Sequence, residues 1–177
     1  NYNVCYRIGQ ATRGVSSMIE YVDGIGYKAG HAGEGMYEVD DGTMLESVEA
    51  LKEAIVGHRI VKVEREGLTP LRPEDEDRWF WAGNPALNLT LDDGTVVQMQ
   101  EYGDCCAYTD LRNVIEHLPT MDHIITNVTA VEDDFERWHI LADFGEVLEL
   151  EVGWSCGNPF YYGYGFSITV ERGGATG

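Results

Sequence analysis

Residues 87–100 read Leu-Asn-Leu-Thr-Leu-Asp-Asp-Gly-Thr-Val-Val-Gln-Met-Gln, two alternating stretches joined by a turn signal. Alternation of apolar and polar side chains predicts strands that bury one face. The Asp-Asp-Gly segment predicts a three-residue hairpin loop. With that loop, Leu89 lies opposite Val97 and Leu87 lies opposite Met99, so the apolar side chains share one face. The stretch therefore predicts an antiparallel β-hairpin.

Further strands are predicted on both sides of this hairpin. Before it, Val61 and Val63 alternate with charged residues. After it, the predicted strands cover residues 122–131, 135–143, 147–153 and 165–171.

The hairpin around Gly145 also has a predicted register. A three-residue loop sets Ile140 opposite Leu150 on the apolar face. The same loop sets His139 opposite Glu151 on the outer face, where cross-strand side chains of opposite charge attract each other.

A first helix is predicted near residues 43–56. Thr43-Met44-Leu45-Glu46 matches a capping box, in which a hydroxyl and a carboxylate bind the opening amides. Gly57 follows as a stop signal. The apolar residues at helical spacing are Met44, Val48, Leu51 and Ile55.

A second helix is predicted over residues 110–118, with Thr109 as its N-cap and Pro119 after its end. Its apolar residues recur at helical spacing and are Leu111, Val114, Ile115 and Leu118. The predicted fold class is therefore α+β, an antiparallel β-sheet with two main helices packed on one face.

The chain divides into three predicted regions. Residues 1–55 form a glycine-rich N-terminal region that ends in the first helix. Residues 56–172 form a β-rich domain, and residues 173–177 form a flexible tail.

Charge and hydropathy restrict the partners. The chain holds 31 acidic and 12 basic residues, for a formal net charge of -19. Such a field repels phosphate backbones, so we expect no direct contact with nucleic acid. The acidic surface serves solubility, or else it mimics DNA toward a nucleic-acid enzyme. No apolar run is long enough to cross a bilayer, so we expect a cytoplasmic protein with no membrane contact.

The cysteines offer two chemical hypotheses. Cys105, Cys106 and Cys156 with a histidine provide the ligand types of a zinc site, but the usual Cys-x-x-Cys spacing is absent. A nucleophilic cysteine needs a neighbouring base and a lowered pKa, which the negative field opposes. We therefore expect four reduced thiols, no metal, no cofactor and no catalytic residue.

Two segments carry the residues best suited to binding. They are Gly-Asp-Cys-Cys-Ala-Tyr-Thr-Asp at 103–110 and Trp-Ser-Cys-Gly-Asn-Pro-Phe-Tyr-Tyr-Gly-Tyr-Gly-Phe at 154–166. Both lie where predicted strands end, and aromatic rings spaced by glycines offer flat contact faces. The candidate ligand- or partner-binding residues are Asp104, Cys105, Tyr108, Asp110, Trp154, Asn158, Tyr161, Tyr162 and Tyr164.

The same two segments, together with Arg-Trp-His-Ile at 137–140, resemble an uncharacterised domain family of unknown function found in actinobacteria and their phages. The resemblance covers about residues 56–172. It implies a phage or prophage accessory setting, inside the host cell, and it assigns no catalytic residue.

The leading functional hypothesis is a phage-type binding or interaction protein without catalytic activity. Its site lies where segment 103–110 approaches segment 154–166, and its partner is a host or phage protein or a small-molecule ligand. Three alternatives stay open: a small enzyme or sequestering protein for a nucleotide-like metabolite, an acidic DNA mimic, and a virion component.

Overall fold

The computed structural model describes residues 40–71, 82–117, 122–131, 135–157 and 162–173. These residues form one helix and eight strands. They are α1 (Thr43–Ile55), β1 (Ile60–Glu64), β2 (Ala82–Leu91), β3 (Val96–Gly103), β4 (Tyr108–Glu116), β5 (Ile125–Ala130), β6 (Arg137–Ala142), β7 (Gly145–Ser155) and β8 (Tyr164–Glu171).

The strands form two four-stranded antiparallel sheets. The first sheet has the order β1-β2-β3-β8, and the second has the order β4-β7-β6-β5. The buried side chains of both sheets and of α1 form one hydrophobic core. The helix contacts β3 and β8 of the first sheet and β5 of the second, so it packs against both.

The structure confirms the register predicted for the hairpin at residues 87–100. Leu89 pairs with Val97, and Leu87 pairs with Met99. All four side chains are buried, as the alternation required.

The predicted fold class is wrong, because residues 110–117, the described part of the second predicted helix, are not helical. Residues 108–116 are strand β4, which leaves one helix and a mostly β architecture in the described residues. The register of β4 shifts between Leu111 and Asn113. A bulge inserts one extra residue into a strand. The apolar positions Leu111 and Val114 are therefore three residues apart, a spacing that imitates a helix.

The predicted register of the hairpin around Gly145 is also wrong. His139 lies opposite Glu149 rather than Glu151, and Ile140 lies opposite Leu148. The displacement is two residues, and side chains of a strand change face at every residue. His139 and Ile140 therefore keep their predicted faces, and the alternation alone did not distinguish the two registers.

The first helix is confirmed at Thr43–Ile55, and Gly57 follows it with a φ of 90°. Its start differs from the predicted capping box. Asp40 Oδ1 accepts from the backbone N–H of Met44 at 2.9 Å, and the Thr43 hydroxyl donates to Asp41 Oδ1 at 2.6 Å. Two aspartates before the helix thus provide the side-chain acceptors at its positive end.

Parts of the predicted organisation lie outside the described residues, namely residues 1–39 of the N-terminal region and residues 174–177 of the tail. The helix predicted for the N-terminal region packs into the common core. None of the helical residues described in the structure makes a segment long and apolar enough to span a membrane.

Candidate functional site

A tight turn at Asp104–Ala107 joins the two sheets. The Asp104 N–H donates to the Ala107 carbonyl at 2.9 Å, and the Ala107 N–H donates back at 3.2 Å. Strand β3 of the first sheet enters this turn and strand β4 of the second sheet leaves it. The residues of the turn are therefore held on a rigid base.

The structure brings segment 103–110 together with the described residues of segment 154–166, which are 154–157 and 162–166, at this turn. Tyr108 pairs with Ser155 between β4 and β7, and Gly103 pairs with Tyr164 between β3 and β8. The backbone N–H of Gly165 also donates to the Thr109 hydroxyl at 2.6 Å. Both segments thus meet at one corner of the molecule.

Gly157 fixes how closely the two segments approach. Its φ is +56°, and a Cβ at this position would lie 2.8 Å from the carbonyl oxygen of Cys106. A side chain there would therefore clash with the backbone of the turn, and glycine avoids both the clash and the left-handed strain.

The two adjacent thiols lie on the turn. Cys105 is exposed, Cys106 is half-buried, and their sulfur atoms are 3.6 Å apart. The pKa of the Cys105 thiol is raised, first by its hydrogen bond with Cys106 and then by the charge of Cys106 and the negative charge of Asp104. The Cys105 thiol therefore stays protonated at neutral pH, whereas a catalytic cysteine is activated by a lowered pKa.

Cys156 corrects the expectation of four reduced thiols. Its side chain is fully buried, and its sulfur is disulfide-bonded. A disulfide sulfur is not a thiolate, and zinc requires the thiolate form of cysteine. The zinc hypothesis built on Cys105, Cys106 and Cys156 therefore does not fit the structure.

Trp154 and Tyr164 are buried, and their rings stack at 5.7 Å with an angle of 15° between planes. The Tyr164 hydroxyl lies 2.6 Å from Asp40 Oδ1 and 2.8 Å from Asp41 Oδ1. It also accepts from the backbone N–H of Asp41 at 3.0 Å. Tyr164 therefore joins the start of α1 to the first sheet, and its ring faces the core rather than solvent.

These hydrogen bonds change the pKa values of Tyr164 and Asp41. Burial, assisted by the bond to Asp40, raises the pKa of the Tyr164 phenol above its ordinary value. Burial opposes the ionisation of Asp41, but the hydrogen bonds from Thr43 and Tyr164 outweigh it and lower the pKa of Asp41. The folded state thus favours the neutral phenol and the ionised carboxylate.

Tyr164→Phe should lower the free energy of unfolding at pH 7 by about 1–3 kcal/mol, because a buried hydrogen bond to a charged group is lost. A lowered folded-state pKa adds stability above the ordinary Asp41 value of 3.8, and that stability disappears as pH falls through the folded value. The difference between wild type and variant should therefore shrink from pH 7 to pH 3. Urea denaturation at both pH values measures it.

The control for this prediction is Tyr108→Phe, which removes the same atom from a side chain that is 45% exposed. It should change stability little at either pH. An equal loss for Tyr164→Phe at pH 7 and pH 3 would contradict the coupling to the carboxylates.

The other predicted site residues differ in how far they are exposed to solvent. Tyr108 is exposed, Asp104 and Tyr162 are half-buried, and Asn158 and Tyr161 lie outside the described residues. We call the accessible group formed by Asp104, Cys105, Cys106 and Tyr108 the corner surface.

Asp110 lies two residues after Tyr108 on β4, with buried Thr109 between them, so both side chains are on the outer face of the second sheet. Its carboxylate is 3.6 Å from the guanidinium of Arg112. Atoms of both side chains occupy the space that a Cβ of Gly153 would take. Asp110 and Arg112 therefore cover the backbone of Gly153.

Two groups of described residues have metal-ligating atoms within 4.8 Å of one another. One is His58, Asp92 and Asp93, and the other is His117, Glu146 and Glu149. The sequence reasoning missed both because it looked for a metal among the cysteines. In each group the two carboxylates are close in the sequence, but the histidine comes from a distant segment, so no short spacing joins all three ligands.

Comparison with known proteins gives a family and no activity. A family model described as a domain of unknown function (DUF7448) matches residues 53–168. This range includes the whole of segments 103–110 and 154–166. No curated protein and no solved structure matches the chain.

Proposed function

Because the chain belongs to the DUF7448 family of domains of unknown function, we propose a function from its corner surface. The protein is a non-catalytic binding protein that engages a partner protein through Tyr108 and Cys105. The observation that carries this proposal is that Tyr108, at the start of β4, and Cys105, on the turn just before it, are both exposed, and that this turn joins the two sheets.

The rigidity of the turn supports a binding role. Two backbone hydrogen bonds close the turn, and Gly157 packs against the carbonyl of Cys106. A tyrosine presented on a fixed backbone loses little conformational freedom when it binds, and its ring provides a large amphipathic contact. The corner surface is therefore prepared for association without rearrangement.

The chemistry of the thiols argues against catalysis at this surface. Contacts with Cys106 and the charge of Asp104 raise the pKa of Cys105, which keeps the nucleophilic thiolate scarce. Covalent catalysis uses the opposite arrangement, a thiol whose pKa a cation or a base has lowered. Binding is the role that these groups fit better.

The charge of the chain suggests the kind of partner. A formal net charge of -19 produces a long-range negative field. Such a field accelerates encounter with a basic surface and disfavours acidic ones. The partner in this proposal is a basic host or phage protein inside the host cell, in keeping with the phage setting implied by the resemblance of segments 103–110 and 154–166.

The test compares variants of the immobilised full chain in host-cell lysate. The wild type should capture a basic protein, and Tyr108→Ala should weaken its binding at least about tenfold, as expected for an aromatic contact at the centre of an interface. Val61→Ala is the matched control, because Val61 is also exposed but lies on β1. It should leave capture unchanged.

Salt provides a second readout. Raising the ionic strength should weaken capture, because screening shortens the range of the negative field. Capture that is equal for the wild type and Tyr108→Ala, or insensitive to salt, would contradict the proposal. Capture of no protein at all would contradict it as well.

A further inference from the structure

Four polar side chains converge on the outer face of the second sheet. His117 Nε2 lies 3.4 Å from Glu146 Oε2, and His139 Nδ1 lies 2.5 Å from Glu146 Oε1. Ligating atoms of His117, Glu146 and Glu149 lie within 4.8 Å of one another. We call these three residues and His139 the His–Glu cluster.

A β-bulge in β7 creates this cluster. Residues three apart on a regular strand face opposite sides, so Glu146 and Glu149 would be separated by the sheet. The register between β6 and β7 shifts, however, because Ile140 pairs with Leu148 and Leu141 pairs with Glu146. The extra residue, Val147, is buried, and both glutamates therefore reach the same face.

The bulge also holds the histidine. The backbone N–H of His117 donates to the carbonyl of Val147 at 2.9 Å. His117 follows directly after the last residue of β4, so its backbone is fixed beside the bulged residue. Bulges often occur next to functional sites, where they redirect a side chain.

The separation between His117 and Glu146 fits two ligands of one small divalent metal ion. Nitrogen and oxygen ligands bind Zn²⁺ at about 2.0–2.1 Å in a tetrahedral arrangement, so two ligands of one ion are about 3.3 Å apart. The separation of 3.4 Å between His117 Nε2 and Glu146 Oε2 is close to this ligand-to-ligand distance. The side chains are also half-buried, with Glu149 only 14% exposed, which limits competition from bulk water.

Neighbouring groups orient the carboxylates. His139 contacts Oε1 of Glu146, and the other carboxylate oxygen, Oε2, lies on the side of His117. The guanidinium of Arg137 lies 3.3 Å from one oxygen of Glu149. Hydrogen-bonded partners of this kind hold metal ligands in place and adjust their affinity.

We propose that the His–Glu cluster binds one divalent transition-metal ion of the Zn²⁺ class. The ligands are His117 Nε2, Glu146 Oε2 and one carboxylate oxygen of Glu149, with water completing the coordination. His139 is a positioning residue, which acts through Glu146. One imidazole with two carboxylates favours Zn²⁺ and similar ions over Mg²⁺, because imidazole suits the softer transition metals.

The second group of possible ligands serves as an internal comparison. His58 Nδ1 lies 3.2 Å from Asp92 Oδ1 and 3.9 Å from Asp93 Oδ2. These two carboxylates are adjacent in an exposed hairpin loop, away from the bulge in β7. The variant His58→Ala therefore removes a histidine with similar carboxylate neighbours without touching the His–Glu cluster.

The experiment titrates the full chain with Co²⁺ and Zn²⁺, using calorimetry and the absorption spectrum of bound Co²⁺. Cys105→Ser and Cys106→Ser are present in every sample, because thiolates also bind these ions. We expect one ion per chain with a Co²⁺ spectrum free of thiolate absorption. His117→Ala and Glu146→Gln should each weaken binding more than about tenfold, and His139→Gln should weaken it about 10- to 100-fold.

Control measurements separate a lost site from a lost fold. Far-UV circular dichroism of each variant should match that of the parent, and His58→Ala should bind the ion as tightly as the parent does. Glu149→Gln provides a further ligand variant if another one fails to fold. Absence of saturable Co²⁺ and Zn²⁺ binding, or binding lost in His58→Ala and kept in His117→Ala, would overturn the proposal.

Discussion

Trp138→Ala should lower the free energy of unfolding by about 3–5 kcal/mol, the usual cost of truncating a large buried aromatic side chain. Trp138 lies on β6 and is fully buried. Its ring meets Phe166 of the first sheet edge-to-face at 5.4 Å, and its Nε1–H donates to the Phe135 carbonyl at 2.9 Å. The substitution therefore leaves a cavity between the sheets and an unpaired acceptor.

Urea denaturation followed by far-UV circular dichroism measures this loss without depending on tryptophan fluorescence. Phe144→Ala is the matched control, because Phe144 is an aromatic side chain of the same hairpin that is 74% exposed. Its change should stay within about 0.5 kcal/mol, as is usual for surface positions. A loss below about 1 kcal/mol for Trp138→Ala would mean that the two sheets do not share this contact.

The second large effect is expected for Gly165→Ala, at the contact between α1 and β8. Gly165 has a φ of +99°, and a Cβ there would lie 2.6 Å from Thr43 Cγ2 and 3.0 Å from Ser47 Oγ. Left-handed strain costs about 1–2 kcal/mol. Overpacking costs about 1–3 kcal/mol. Together they should lower the free energy of unfolding by about 2–5 kcal/mol.

Gly57→Ala separates the two contributions. Gly57 has a similar φ of +90°, but a Cβ added there would have nothing within 4 Å. This variant should therefore lose only the strain contribution, about 1–2 kcal/mol. Equal losses for Gly57→Ala and Gly165→Ala in the same denaturation experiment would show that α1 does not pack closely on β8.

The sequence predicted the elements whose pattern is local and regular. The stretch at residues 87–100 predicted its own hairpin register, because a three-residue loop at the Asp-Asp-Gly signal keeps its leucines and Val97 on a single face and a two-residue loop does not. The helix at Thr43–Ile55 was predicted for a similar reason, since its four apolar residues fit one helical face and Gly57 marks its end.

Irregular strands were not predictable in the same way. The bulge in β4 gave Leu111 and Val114 a helical spacing. Around Gly145, a displacement of two residues left His139 and Ile140 on their predicted faces, so the alternation did not reveal it. Gln98 is a further example, because it stands at a polar position of an alternating strand but is fully buried. Its amide donates to the Thr69 carbonyl at 2.9 Å, so a distant loop covers it.

By itself, the sequence determined that the chain is acidic, that residues 87–100 form a hairpin and that one helix begins near Thr43. Only the tertiary structure decided that there are two sheets, that Trp154 and Tyr164 are packing residues and that His117 meets Glu146. The physical reason is that alternation and helical spacing act between near neighbours in the chain. Bulges, strand partners and loop coverage arise from contacts between distant residues, which a local pattern does not encode.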